Sequence, residues 1–82
     1  MNGEKIGKIT HFFNHISVAA ITISDNLKIG DQILIKGLTT NIKQTIESMQ
    51  IDNKEVSEAK AGDEIGIKVR GKVRINDEVY LI

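Results

Sequence analysis

The chain has 82 residues, with eleven basic and eleven acidic side chains and no cysteine, proline or tryptophan. This length allows one small domain, the lack of cysteine excludes disulfides and thiolate metal sites, and the balanced charge excludes gathering nucleic acid by net charge alone. We expect residues 1–82 to form a single domain, with residues 1–4 disordered. Without an apolar run of about 18 residues or a signal-peptide pattern, the sequence predicts a cytoplasmic protein with no membrane partner.

The first third of the chain alternates apolar and polar residues, as half-buried strands do. Residues 5–13 predict a first strand and residues 15–24 a second one. In the second strand the apolar positions change from even to odd numbers after Val18. Because one face of a strand normally points inward, this change predicts a β-bulge near Ala19 and Ala20, or burial of both faces.

The middle of the chain is less regular. Residues 42–51 predict another strand, in which a second change of apolar parity indicates a bulge around Glu47 and Ser48. Residues 52–61 hold only three apolar side chains, which are too few to anchor a helix. We therefore expect an irregular loop there, with one helical turn at most.

One short pattern occurs three times, at Lys28–Ile35, Lys60–Ile67 and Arg74–Leu81. Each copy is a basic residue, a small or apolar residue, a Gly or Asn, an Asp, and then apolar residues at alternate positions. The third position suits a backbone at positive φ, and an Asp can accept backbone hydrogen bonds within a turn. The pattern predicts three tight turns that each begin a strand, with these structural turn residues: Gly30, Asp31, Gly62, Asp63, Asn76 and Asp77.

Short strands separated by turn signals, with almost no helix, predict an all-β fold. Closure of the sheet would also remove the exposed edges of an isoleucine-rich sheet. The expected architecture is a small closed antiparallel β-barrel of about six to seven strands.

Three segments, in this order, resemble the second domain of translational GTPases such as elongation factor Tu: Leu27–Ile33, Ile46–Ile51 and Val56–Ile67. Val69–Gly71 is similar to the end of the next strand in that family. The resemblance implies a barrel of the translation-protein type that docks on RNA, the ribosome or a translation factor. Related barrels are also appended to collagenase-like peptidases. The chain departs from the family in its longer first hairpin and in having no Gly-x-x-x-x-Gly-Lys-Ser/Thr loop, so we expect no nucleotide hydrolysis.

Four basic residues share one parity and would form a ladder on the outer face of a straight strand, where phosphates could bind: Lys68, Arg70, Lys72 and Arg74. The alternative is a solvated strand face with acidic partners next to it. Gly71 is expected to split the row, which leaves Lys68 and Arg70 as the stronger pair.

The tip of the first hairpin carries Phe12 and Phe13 between His11 and His15. Both Phe side chains cannot point inward from a regular strand, so one of them is a candidate for an exposed contact with a partner. The two His residues lack a third ligand nearby in the sequence, so no metal site is predicted.

No nucleophile with a base, no metal cage and no cofactor motif is evident, so we expect a binding module that is not an enzyme and needs no cofactor. The leading hypothesis is docking on RNA or a translation component through Lys68 and Arg70. The alternative is a protein-interaction or assembly barrel that acts with a separate enzyme, for example a collagenase-like peptidase.

Overall fold

The computed structural model describes residues 3–82, which form ten β-strands. The strands are β1 Glu4–Phe13, β2 Val18–Ile23, β3 Leu27–Lys28, β4 Gln32–Lys36, β5 Asn41–Thr45, β6 Met49–Ile51, β7 Lys54–Val56, β8 Glu58–Ala59, β9 Glu64–Lys68 and β10 Glu78–Leu81. Met1 and Asn2 lie outside the described residues, whereas Glu4, which falls in the segment expected to be disordered, begins β1 and pairs with Leu81. No helix in the described part of the chain is long and apolar enough to cross a membrane.

Eight strands form one antiparallel sheet in the order β5-β4-β10-β1-β2-β9-β6-β7, and β3 pairs with β8 separately. The sheet curls strongly into an open half-barrel. The prediction of an all-β fold is confirmed, but the closed barrel of six to seven strands is wrong. Within residues 3–82 the outermost strands, β5 and β7, form no ladder with each other, so the sheet keeps two edges.

The concave face of the sheet holds a core made entirely of aliphatic side chains and methionine. Alternation along β1, β2, β4, β9 and β10 directs most of these residues inward, as expected for strands with one solvated face. The fully buried large side chains are Ile6, Ile9, Ile21, Ile23, Leu27, Ile33, Ile35, Ile46, Met49, Ile65, Ile67 and Val79.

The three similar stretches form three turns of one geometry. Their third residues all have positive φ, +96° at Gly30, +95° at Gly62 and +77° at Asn76. Together with a hydrogen bond from the fourth residue back to the first, this is the geometry of a type II turn. In each turn the Asp carboxylate also accepts a bond from the N–H of the basic residue: Asp31 from Lys28 at 3.0 Å, Asp63 from Lys60 at 2.9 Å and Asp77 from Arg74 at 2.9 Å.

Each turn is also tied to one buried isoleucine elsewhere in the sheet. The N–H of Gly62 donates to the carbonyl of Ile23 at 2.8 Å, and the N–H of Ile23 donates to the carbonyl of Asp63 at 3.0 Å. The same pair of bonds joins the first turn to Ile46 and the third turn to Ile9. The repeated pattern therefore fixes three turns to the core.

The prediction of a bulge in the second strand is wrong, because the pairing of β2 with β9 is continuous from Val18 to Thr22. The shift lies instead in β1, between Ile9 and His11. The apolar residues at even positions before Ala19 simply point outward. The second parity change is a full interruption, since β5 ends at Thr45 and β6 begins only at Met49.

The segment expected to be an irregular loop is a β-hairpin followed by a short strand. Asp52 and Asn53 have φ values of 52° and 65° and form the turn that joins β6 to β7. Two successive positive φ values are typical of a type I′ turn, which Asn and Asp tolerate better than most residues. The hairpin thus forms without the Asn-Gly signal that would have identified it.

Candidate functional site

A groove of about 620 Å³ runs along the outer face of β9. The β1–β2 hairpin forms one wall and the β6–β7 hairpin the other. The residues that line it are Phe13, Ile16, Val18, Ala20, Gln50, Ile51, Asp52, Asn53, Gly62, Asp63, Glu64, Ile65 and Gly66. We call this surface the hairpin groove.

The apolar wall is built by the tip of the first hairpin. Phe13 is 49% exposed and Ile16 is 61% exposed, which is unusual for side chains of this size. The turn between them is held by a bond from the N–H of Ile16 to the carbonyl of Phe13 at 3.2 Å and by Ser17 at positive φ. Phe12 points the other way and packs against the core. Of the two predicted candidates, the structure therefore exposes Phe13.

Gly66 forms the floor of the hairpin groove in the middle of β9. A Cβ atom placed there would meet only a methyl group of Val18, at an ordinary 3.5 Å, so the fold itself does not exclude a side chain. Glycine weakens a strand interior and often marks close approach by a ligand or another backbone. The lack of a side chain at Gly66 thus widens the groove, although the packing of the domain does not require a glycine there.

One end of the groove is acidic. Glu64 accepts a bond from the Thr10 hydroxyl at 2.8 Å, and one oxygen of Asp63 is used within its turn. The only ion pair among residues 3–82 joins Lys5 to Glu78, so no described cation neutralises these carboxylates or Asp52. The groove therefore has an apolar end at the hairpin tip and a negative end near Glu64.

The predicted basic ladder is only partly built as expected. Its four residues, Lys68, Arg70, Lys72 and Arg74, are all exposed, but β9 ends at Lys68 and the other three follow in irregular chain. Val69 and Val73 remain buried, so the alternation of burial continues past the strand. Lys68 and Arg70 line one pocket together with Gln44, whereas Arg74 lines a different depression.

That second depression carries two strongly exposed aliphatic side chains. Leu38 is fully exposed and Ile75 is 56% exposed, and Lys36 and Arg74 lie beside them. These residues do not line the hairpin groove. Leu38 is therefore a suitable control position for tests of that groove.

Gln44 is a buried polar residue that sequence reasoning missed. Its side-chain Nε2 donates to the carbonyl of Lys68 at 2.8 Å, and its Oε1 accepts from the N–H of Arg70 at 3.0 Å. One amide side chain thus acts as a rung of β-ladder between the edge strand β5 and the chain that leaves β9. The available signal was a polar residue with the same parity as Ile42 and Ile46, where an inward side chain is expected.

The outer face of β10 holds a small hydrogen-bonded cluster. The Tyr80 hydroxyl donates to one carboxylate oxygen of Glu78 at 2.6 Å, and the Lys5 ammonium donates to the other at 2.9 Å. These two donors, Tyr80 first, hold the pKa of Glu78 below its usual range. Glu78 in turn raises the pKa of Tyr80 and of Lys5, mainly through the same hydrogen bonds.

We expect Tyr80→Phe to raise the pKa of Glu78 toward its ordinary value, measured by NMR titration of the side-chain carboxyl carbon. Because the folded-state pKa is the lower one, the stabilisation by Glu78 is complete above its unfolded pKa and is lost as pH falls through its folded pKa. The variant should therefore lose less stability on acidification than the wild type. An unchanged Glu78 pKa in the variant would show that the hydroxyl does not hold the carboxylate.

No group of three His, Asp or Glu side chains in residues 3–82 is placed to hold a metal ion. His11 lies beside the Phe13 ring, with centroids 6.0 Å apart, and His15 is exposed in the hairpin turn. The aspartates of the three repeated stretches are used as turn residues. The candidate functional feature of the described surface is therefore the hairpin groove.

Comparison with known proteins points to peptidases. No protein-family model matches the chain. It is 44% identical over 79 residues to an uncharacterised protease of Methanocaldococcus jannaschii and 39% identical over 77 residues to a collagenase of Porphyromonas gingivalis. These matches cover 95% and 92% of the chain but only 19% and 21% of the relatives. The chain therefore spans about a fifth of the length of the proteins it matches.

The fold matches a solved domain closely. The crystal structure of the C-terminal domain of a U32 peptidase from Geobacillus thermoleovorans has a TM-score of 0.90 to this chain, with 17% identity. The match covers 96% of this chain and 92% of that domain. A second structure, of the selenomethionine variant of the same domain, has a TM-score of 0.89.

These comparisons correct the family resemblance stated from the sequence. The similar proteins are peptidases and collagenases, so the resemblance to the second domain of translational GTPases is wrong, and so are the translation and RNA-binding roles drawn from it. The physical reason is that the matching motifs contain the Gly-Asp turns, whose residues are set by positive φ and by a carboxylate bond to the backbone. Such residues report turn geometry, which unrelated β-proteins share.

Proposed function

We propose that the chain is a non-catalytic β domain that works with a peptidase, and that it docks on the peptidase's catalytic part through the hairpin groove. The observation that carries this proposal is the groove itself, with a half-exposed aromatic ring at its wall and an open glycine floor. Aromatic anchors in shaped, apolar depressions are the usual centres of protein interfaces.

The comparisons support a peptidase as the partner. In both relatives about four fifths of the protein lies outside the segment that this chain matches. The matching fold is the C-terminal domain of a U32 peptidase, so this type of domain occurs within such an enzyme. Because the chain corresponds to so small a part of its relatives, we assign the chemistry to the remainder and only binding to this domain.

Phe13 should supply a large share of the docking energy. Fully burying a large apolar side chain contributes about 1.5–3 kcal/mol, so burying the exposed half of Phe13 contributes about 0.8–1.5 kcal/mol, and 1.4 kcal/mol corresponds to about a tenfold change in dissociation constant. We therefore expect Phe13→Ser to weaken docking by about 4- to 10-fold. Leu38→Ser, which removes an even more exposed apolar side chain elsewhere on the surface, should leave docking unchanged.

Isothermal titration calorimetry would test this proposal. The chain is titrated into the M. jannaschii protease from which the matching 79-residue segment has been removed. We expect saturable one-to-one binding that is weakened in Phe13→Ser and retained in Leu38→Ser. Circular dichroism of both variants and of the shortened protease establishes that each is folded.

Two results would contradict the proposal. One is absence of saturable binding to a folded partner. The other is equal affinity of wild type and Phe13→Ser. If the shortened protease does not fold, the chain replaces the segment in the intact protease, and amide exchange near Phe13 is compared with that in the isolated chain. Equal exchange in the two would also contradict the proposal.

A further inference from the structure

We propose that the hairpin groove accepts an extended polypeptide segment in which an apolar side chain and a Lys or Arg side chain lie two residues apart. This inference rests on the proposed function, because it takes the hairpin groove as the docking surface, and it adds the chemistry of the occupant. It uses the shape, charge and spacing of the groove.

The apolar side chain would lie over Gly66. Val18 and Ala20 line the adjacent strand and are only partly buried, and Phe13 and Ile16 extend the wall outward. The position above Gly66 is open, since a Cβ atom there would meet no atom closer than 3.5 Å. An aliphatic side chain of the occupant can therefore enter without displacing any part of the domain.

The basic side chain would lie over the negative end of the groove. Asp52, Asp63 and Glu64 line this end, and no cation in the described part of the chain pairs with them. Glu64 keeps one carboxylate oxygen beyond its bond to Thr10, and Asp63 keeps one beyond its bond to Lys60. A Lys or Arg of the occupant would satisfy these oxygens, and like charge would be repelled.

The spacing follows from the strand that forms the floor. Gly66 and Glu64 lie on the same outer face of β9, two residues apart, which is a separation of about 6.6 Å along a strand. In an extended segment lying along β9, side chains two residues apart also share one face. The occupant therefore places its apolar and basic residues at positions i and i+2 or i−2, depending on its direction.

Short capped peptides test this inference without the protease. Two probes, one for each direction, are titrated into the nitrogen-15-labelled chain: Lys-Ser-Leu-Ser-Ser and Ser-Ser-Leu-Ser-Lys. Each carries a single Lys, because a second Lys two residues beyond Leu would lie over the exposed Lys68 on the same face of β9. The tighter of the two is called the probe, and three variants of it serve as controls: one with Lys moved next to Leu, one with Glu in place of Lys (the glutamate peptide), and one with Ser in place of Leu. We expect amide shifts confined to residues 13–20, 50–53 and 62–66, and an affinity for the probe at least about fivefold above each control.

Two variants of the chain sharpen the test. Gly66→Ala fills the floor with a methyl group that the fold accommodates, so it should weaken binding of the probe while the domain stays folded. Leu38→Ser should bind the probe as the wild type does. Equal binding of the probe and the glutamate peptide, or shifts centred away from the groove, would overturn the inference.

Different results would contradict the docking on a peptidase and the chemistry of the occupant. Selective binding of the probe together with no binding to the shortened protease would sustain the occupant chemistry and contradict the peptidase docking. Docking that depends on Phe13, together with peptides that bind equally whatever their charge, would sustain the docking and overturn the occupant chemistry.

Discussion

Gln44→Ala is expected to lower the free energy of unfolding by about 1–3 kcal/mol, since it leaves two partly buried backbone groups without their hydrogen-bond partners. The carbonyl of Lys68 would lose its donor and the N–H of Arg70 its acceptor. For a domain of this size the loss corresponds to a melting temperature lower by roughly 5–20 °C. Urea denaturation followed by circular dichroism measures the free energy directly.

Gln44→Met separates hydrogen bonding from packing. Methionine keeps the length of the side chain but can replace neither hydrogen bond. The Gln44→Met variant should therefore lose nearly as much stability as the Gln44→Ala variant. Gln50→Ala is the matched control, because Gln50 is exposed on β6 and should change stability by less than about 0.5 kcal/mol. Wild-type stability of Gln44→Met would show that the side-chain rung between β5 and the end of β9 is dispensable.

Gly7→Ala is expected to destabilise the domain by about 2–3 kcal/mol, because there is no room for a methyl group in the centre of the sheet. A Cβ atom on Gly7 would lie 2.7 Å from the carbonyl oxygen of Thr22 and 2.9 Å from a methyl group of Ile21. Both belong to β2, so relief of the clash requires β1 and β2 to separate locally. Thermal and chemical denaturation of the variant measure the effect.

Gly66→Ala is the matched comparison, since it makes the same substitution inside another strand. The added methyl group meets only Val18 at 3.5 Å, so stability should be unchanged or rise by up to about 1 kcal/mol. Equal losses at Gly7 and Gly66 would mean that the loss reflects glycine itself and not the close approach of β2 to β1.

The turns were the most predictable part of this fold. A residue able to take positive φ followed by Asp determines a local geometry, and it is formed at Gly30, Gly62 and Asn76. The partners of the turns, Ile9, Ile23 and Ile46, could not be predicted, because they depend on which strands meet in three dimensions.

Closure of the sheet could not be read from the strands themselves. Whether a curled sheet closes depends on the number, tilt and stagger of all its strands together. Here β5 is joined to the end of β9 by one side chain, Gln44, in place of a backbone ladder. The one sequence signal for this link between β5 and β9 was a polar residue at a position where an inward side chain is expected.

The hairpin groove did leave a signal, which was misread. Ile16 and Val18 break the alternation of the second strand, for which the expected reasons are a bulge or burial of both faces. In the structure β2 pairs regularly with β9, and these residues face outward beside Phe13. An apolar residue on the solvent face of a regular strand is thus a sign of a contact surface as well as of a bulge.

Amide hydrogen exchange, measured by mass spectrometry, tests the central claim most directly. Exchange in the isolated chain is compared with exchange when the chain is bound to the shortened M. jannaschii protease. Docking through the hairpin groove predicts slower exchange in residues 13–20 and 62–66, with residues 36–40 unchanged. Protection confined to residues 36–40 and 74–78, with the groove still exchanging freely, would contradict the account.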